Sequence, residues 1–224
     1  MSAHSVLFIG ADPREFTGFL SHWRQIQPLQ LPVYWARTGR WKGHEVHAIA
    51  NGAGAERAFA AVLVAPKSSA ICSIGFCGAL DETLRIGDVF VATEIRNGSS
   101  SWPALQPHGP EAPTGAVASI DHVAQTAEEK RNLRASGASI VEMEASGVAR
   151  ASEDLDLPFY CIRAVSDLAR EDFATDFNAA LSPDGRFNVI SLIKQLQLGE
   201  LLRLQQRTAL ASKKLGDFLA ATTF

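Results

Sequence analysis

Short apolar, β-branched runs alternate along this chain with longer segments of helical period, and that alternation restricts it to an α/β fold. Ser5 to Gly10 reads as the first strand, and Asp12-Pro13 opens a helix with Asp as N-cap and Pro at the first helical position. Val33 to Arg37 and His44 to Ala50 flank Thr38-Gly39-Arg40-Trp41-Lys42-Gly43, the turn of an expected hairpin. Ala53 to Val64 has strong helical period. Ala70 to Gly75, Asp88 to Ile95, Ala116 to Ile120, Ser139 to Val141 and Phe159 to Val165 read as strands, separated late in the chain by helices at roughly 122–134 and 144–155. No linker and no repeat divides the sequence, so one α/β domain over 1–224 is expected.

A net charge of -3 argues against non-specific affinity for nucleic acid, which needs a basic field. Cys72, Cys77 and Cys161 lie in apolar runs and read as core residues of a reducing compartment. They have no Cys/His spacing suited to zinc. No apolar run has the length of a signal peptide core or a membrane span, so a cytoplasmic protein is expected. Asn97 to Pro113 is rich in proline and poor in periodicity, a candidate lid or subunit contact. From Phe187 onward only helix is indicated, a tail over about 187–221. Its apolar stripe, Leu201, Leu204, Thr208, Ala211, Leu215 and Phe218, favours docking on the core or a neighbouring subunit over a membrane surface.

Three acidic sites stand apart from the solvated charges. Val141-Glu142-Met143-Glu144-Ala145 joins a strand to a helix, near the sheet edge where ligands of open α/β sheets bind. An ionised carboxylate there can accept from two adjacent hydroxyls, as in a ribose diol; Glu144 reads equally well as a first-turn glutamate serving the helix dipole. Asp167 ends Arg163-Ala164-Val165-Ser166-Asp167, where a buried strand leaves the sheet. Partial desolvation would let it hold a proton and act as a general acid, although an Asx-turn or N-cap role has the same signature. Glu15, on the first turn after the first strand, could orient a water or a substrate hydroxyl, or serve only the helix dipole. Two glycine-rich turns, Asn51-Gly52-Ala53-Gly54 and Gly75-Phe76-Cys77-Gly78-Ala79, could bring backbone N–H groups to an anion. They match neither a dinucleotide fingerprint nor a P-loop. His122 has no partner at metal or triad spacing.

Taken in order, these segments resemble the nucleoside phosphorylase/nucleosidase superfamily, the one containing purine nucleoside phosphorylases and methylthioadenosine nucleosidase. The likeness runs from Val6 to about Ala169 and is most specific at the 141–145 and 163–167 motifs. It implies a mixed central sheet, partly closed and flanked by helices, and a homo-oligomer. It implies cleavage of the N-glycosidic bond of a nucleoside by water or phosphate, with no metal or cofactor and with phosphate left open as a co-substrate. Under it, Asp167 protonates a purine N7 beside Ser166, Glu144 binds the ribose hydroxyls, Met143 packs under the sugar, and Glu15 handles the attacking water. Glu142, Gly75, Phe76 and Val123 would complete the substrate contacts. Ser73 and Phe76 stand where phosphorylases carry an arginine and a serine for phosphate, with Arg14 and Arg40 as substitutes to test. Val123 stands where methylthioadenosine nucleosidases carry a base-stacking aromatic. Ser119-Ile120-Asp121-His122-Val123, Glu129-Lys130 and Pro183-Asp184-Gly185-Arg186 are also similar to a branch linked with hopanoid lipid synthesis, whose proposed substrate is an adenosyl-hopane. The contrasting expectation is a catalytically silent nucleoside-binding protein with Phe76 filling the anion pocket.

Overall fold

Strand β1 (Val6–Gly10) is buried at every position and pairs in parallel on both sides, with β4 (His44–Ala50) and β5 (Ala70–Ala79). Apolar side chains on both faces explain its unbroken hydrophobic run, because helices cover the sheet above and below. The computed structural model describes residues 5–186 and 198–224. From β1 the sheet continues outward through β4 and β3 (Trp35–Trp41) to the edge strand β2 (Arg24–Pro28). In the other direction β5, β10 (Phe159–Asp167), β6 (Val89–Asn97), β8 (Thr114–Ser119) and β9 (Ala138–Glu142) pair in a ring, because β5 bonds both β10 and β9. The sheet is therefore mixed and partly closed into a five-stranded barrel, as the resemblance implied.

Helices α2 (Ala55–Leu63) and α4 (Ala145–Asp154) pack together on one face over Ile9, Ile49, Ile71 and Ile140. On the other face lie α1 (Pro13–Leu20) and the C-terminal helix α6 (Leu198–Ala221), over Phe8, Val46 and Ile74. Phe16 and Phe19 of α1 are fully buried, each contributing about 2–3 kcal/mol of transfer free energy. Helices α1 and α6 cross so closely that a Cβ on Gly216 would lie 2.2 Å from the carbonyl carbon of Gly18, and one on Gly18 would lie 2.1 Å from the Ser212 carbonyl oxygen. The expected docking holds for the second half of the tail, where Ala211, Leu215 and Phe218 are buried. Residues 187–197 of the expected helix lie outside the described residues. Among the described residues no helix is long and apolar enough to cross a membrane.

Several boundaries differ from expectation. The hairpin turn is Lys42-Gly43 alone, both with positive φ (50° and 84°), the backbone a two-residue turn needs to match strand twist; Thr38 to Trp41 stay in the strand. The supposed glycine-rich turn at 75–79 is the second half of β5, held straight by pairing with β10 and β9 as the barrel closes. β10 likewise runs on to Asp167, with a bulge between Val165 and Asp167. The 122–134 helix shortens to α3 (Ala127–Ala135), capped by the Thr126 side chain, and a single-turn α5 (Phe177–Ala180) follows β10. β7 (Ser100–Pro103) pairs with β6 inside the expected 97–113 loop. β2 is exposed throughout, so it carries no apolar alternation by which to be recognised.

Candidate active site

Gly78 of β5 sits opposite Val141 of β9 on one side and Asp167 of β10 on the other. The two acidic motifs therefore emerge at one point of the barrel rim, although 17 residues of sequence intervene. They open into a cleft of about 420 Å³, a size suited to a small ligand. Glu15, Phe76, His122, Val123, Glu142, Met143, Glu144, Ser166 and Asp167 all line it. Gly75 does not. Its place is behind Glu15, where a Cβ would meet Glu15 Oε1 at 2.6 Å, so it makes room for that carboxylate and is not a ligand contact.

Glu15 is the N3 residue of a capping box whose N-cap is Asp12. Only 5% of it is exposed. Its Oε2 accepts from the N–H groups of Ala11 (2.7 Å) and Asp12 (3.0 Å), and its Oε1 from the N–H of Phe76 (3.2 Å). Of the two glycine-rich segments expected to offer N–H groups to an external anion, the 75–79 segment thus gives its Phe76 N–H to an internal carboxylate. Burial pushes that carboxyl upward, against the opposing pull of the Asp12 N–H and of Arg163.

Glu144 is the N-cap residue of α4, and its Oε1 accepts from the Gly54 N–H at 3.1 Å. The Asn51–Gly54 turn therefore serves the ligand-facing glutamate. Burial, reinforced by the nearby Glu142 charge, pushes Glu144 up to about 8, so near neutral pH the site favours its acid form over the ionised carboxylate expected from sequence. Glu142 is largely consumed inside the protein. Its Oε2 accepts from the Glu144 and Ala145 N–H groups at 3.0 and 2.8 Å and from Arg163 at 2.5 Å. Arg163 is fully buried and also donates to Ser73 Oγ at 2.8 Å. Ser73 is accordingly spoken for, and it does not line the cleft.

On the opposite wall Ser166 Oγ donates to the Cys77 carbonyl at 3.2 Å and lies 3.1 Å from Asp167 Oδ2. Asp167 Oδ1 accepts from Lys130 Nζ at 2.5 Å. Asp167 is thus no Asx-turn aspartate, and its surroundings include a cation as well as desolvation. Of the two arginines considered for phosphate, Arg14 lines the cleft but is turned to Asp12 in a two-point pair at 2.8 and 2.9 Å, and Arg40 lies outside it, donating to Gly43. His122 does have partners, Asp121 (2.7 Å) and Glu129 (2.5 Å), which raise its imidazole. No group of three or more His, Cys, Asp or Glu among the described residues could hold a metal ion.

A sequence model of the phosphorylase superfamily matches residues 5–119 and 99–186, which takes in every wall of this cleft except α6. The chain belongs to the phosphorylase superfamily. With that membership it is an enzyme that cleaves glycosyl bonds. A 5'-methylthioadenosine/S-adenosylhomocysteine nucleosidase of Staphylococcus aureus is 27% identical over 206 residues, covering 77% of this chain and 90% of that protein. The S. pneumoniae nucleosidase of the same name, solved with a transition-state inhibitor, superposes with a TM-score of 0.74 at 18% identity over 97% of both chains. A Helicobacter pylori futalosine hydrolase mutant superposes with a TM-score of 0.69 at 17% identity, over 95% of this chain and 96% of that one. At such identities the superpositions establish the fold.

This superfamily member brings residues to the cleft that sequence reasoning missed. Phe173, Phe177, Arg203, Leu204, Arg207 and Thr208 form its outer wall. Arg207 grips Glu171 at two points, 2.8 and 2.7 Å, which ties α6 to the segment after β10. A stripe of α6 read as apolar packing thus contributes Leu204 and Thr208 to the cavity. The signal that could have found them is the loss of large apolar residues at Thr208 within that stripe.

Proposed function

We propose that the enzyme hydrolyses the N-glycosidic bond of a purine nucleoside, with a 5′-substituted adenosine as the substrate favoured by its relatives' names. One observation carries the choice of water: Glu15 occupies the three backbone N–H groups that would otherwise cradle an anion. A phosphate entering there would meet a buried carboxylate, with Arg14 already paired and Phe76 in place of a hydroxyl.

The chemistry follows from the walls of the cleft. The C1′–N9 electron pair leaves with the base, and the Asp167 carboxyl gives its proton to N7, so the base departs neutral. The sugar becomes oxocarbenium-like, and carboxyl groups around it offset the positive charge. Water adds at C1′ and loses its proton to Glu15, whose burial makes it a willing acceptor. Glu144 holds the 2′ and 3′ hydroxyls, donating to one and accepting from the other while in its acid form. Met143, 8% exposed, supplies an apolar floor.

The test is incubation with adenosine, methylthioadenosine, futalosine and adenosyl-hopane, each with and without phosphate, followed by chromatography of base and sugar. Free base with free sugar, at a rate indifferent to phosphate, is the expected result. A ribose 1-phosphate product would overturn the choice of nucleophile. Binding of all four without turnover would make the chain a silent nucleoside-binding protein.

A further inference from the structure

Helix α3 buries a single side chain, and that side chain is a lysine. The sequence Ala-Glu-Glu-Lys-Arg-Asn-Leu-Arg-Ala offers only Leu133 as a large apolar side chain, half-buried against the core, yet Lys130 is only 1% exposed. Taking an ammonium out of water is costly unless its donors are met and its charge is matched. Here both conditions hold. Nζ donates to Asp167 Oδ1 at 2.5 Å and to the Leu168 carbonyl at 2.9 Å, and it stands 5.0 Å from the centre of the Phe173 ring. Asp167 itself remains 15% exposed at the side chain and lines the cleft. The ammonium therefore sits behind the carboxyl, and the other oxygen is left to Ser166 and the ligand.

We infer that Lys130 is a positioning residue for glycosidic cleavage, holding the Asp167 carboxyl toward the leaving base and matching the negative charge left on it once its proton has gone. This rests on the hydrolase reading above. The balance is simple. At rest the site holds the ammonium–carboxylate pair, and the carboxylate takes up one proton from solvent as the nucleoside enters. The carboxyl proton moves to N7 as the C1′–N9 pair leaves, and the site then holds an ammonium–carboxylate pair beside a neutral base. The charge that appears in the transition state meets a fixed counter-charge with no reorganisation, which is where preorganised groups accelerate most. Leu168 and Phe173 fix the ammonium from its other sides, so it cannot follow solvent out of the cleft.

The experiment measures release of adenine from methylthioadenosine by the wild type, Lys130→Met, Lys130→Ala, Asp167→Asn and the Lys130→Met/Asp167→Asn double variant. Lys130→Met should lower kcat by about 10²-fold while KM changes by less than about threefold, since the lysine does not touch substrate. Adding ethylamine should restore part of the rate of Lys130→Ala, rising with amine concentration, and should do nothing for Asp167→Asn. In the Asp167→Asn background Lys130→Met should cost less than about threefold, because the lysine acts through that carboxyl. The double variant buries no uncompensated charge, so it reports even if Lys130→Met alone fails to fold. An undiminished kcat in Lys130→Met, or a further tenfold loss in the double variant, overturns the assignment and leaves the hydrolase reading standing. No adenine release from any nucleoside by the wild type removes that reading and this assignment together.

Discussion

Replacing Glu144 by glutamine should make the protein more stable in alkaline solution. The folded site holds the Glu144 carboxyl up to about 8, from an ordinary 4.5. Below 4.5 both folded and unfolded chains carry the proton, and the group costs nothing. As pH rises from 4.5 the unfolded chain gives its proton up while the folded chain retains it. Stability therefore falls through this window, and the loss is complete above about 8. At about 1.4 kcal/mol per pH unit, the full loss is about 5 kcal/mol. Glutamine has the same shape, keeps an oxygen for the Gly54 N–H, and does not titrate. Urea denaturation at intervals from pH 5 to 9 should show the two proteins within about 1 kcal/mol of each other at pH 5. They should separate steadily, with Glu144→Gln ahead by several kcal/mol at pH 9. Parallel stability curves would refute the argument, because they would mean that Glu144 is not held as an acid by burial and Glu142. The same variant should lower kcat for nucleosides more than it changes KM, since an amide still donates to and accepts from the hydroxyls but cannot carry the charge that meets a sugar cationic only in the transition state.

Asp167→Asn should cut turnover by about 10² or more while lowering the urea midpoint, because it leaves the buried Lys130 ammonium unpaired; undiminished kcat in the folded variant would remove the acid from the mechanism. Glu15→Gln should depress hydrolysis by a similar factor, and comparison with and without phosphate should show no recovery. Gly216→Ala should destabilise the protein by about 1–3 kcal/mol or more, measured by urea midpoint, because its methyl group would have to displace the Gly18 backbone.

Much of the architecture was readable because burial on both sides of a central strand writes itself as an uninterrupted apolar run. β1 is such a strand, and so, but for Ser73, is the first half of β5. The motifs at 141–145 and 163–167 were readable for a related reason: each is an acidic residue placed where an apolar strand ends, which packing alone does not require. What could not be read was how far the strands extend. Residues 75–79 carry two glycines and look like a turn, yet pairing with β10 and β9 keeps them in β5, and Asp167 stays in β10 through its pairing with Gly78. The exposed β2 and the short β7 lack a hydrophobic face, so local sequence holds no trace of them.

The order of elements, the acidic residues and their attachment to strand ends were set locally, by periodicity and by caps such as Asp12 and Glu15. Which charges meet was decided by barrel closure, since the ring brings β9, β5 and β10 to one rim and lays α3 beside it. Lys130 belongs to a mostly polar helix, and its burial follows only from where Asp167 comes to stand. Arg163 and Glu142, 21 residues apart in the chain, find each other on facing barrel strands. Local sequence encodes the preference of each residue for its neighbours, whereas a long-range charge pair depends on the path of the backbone between them.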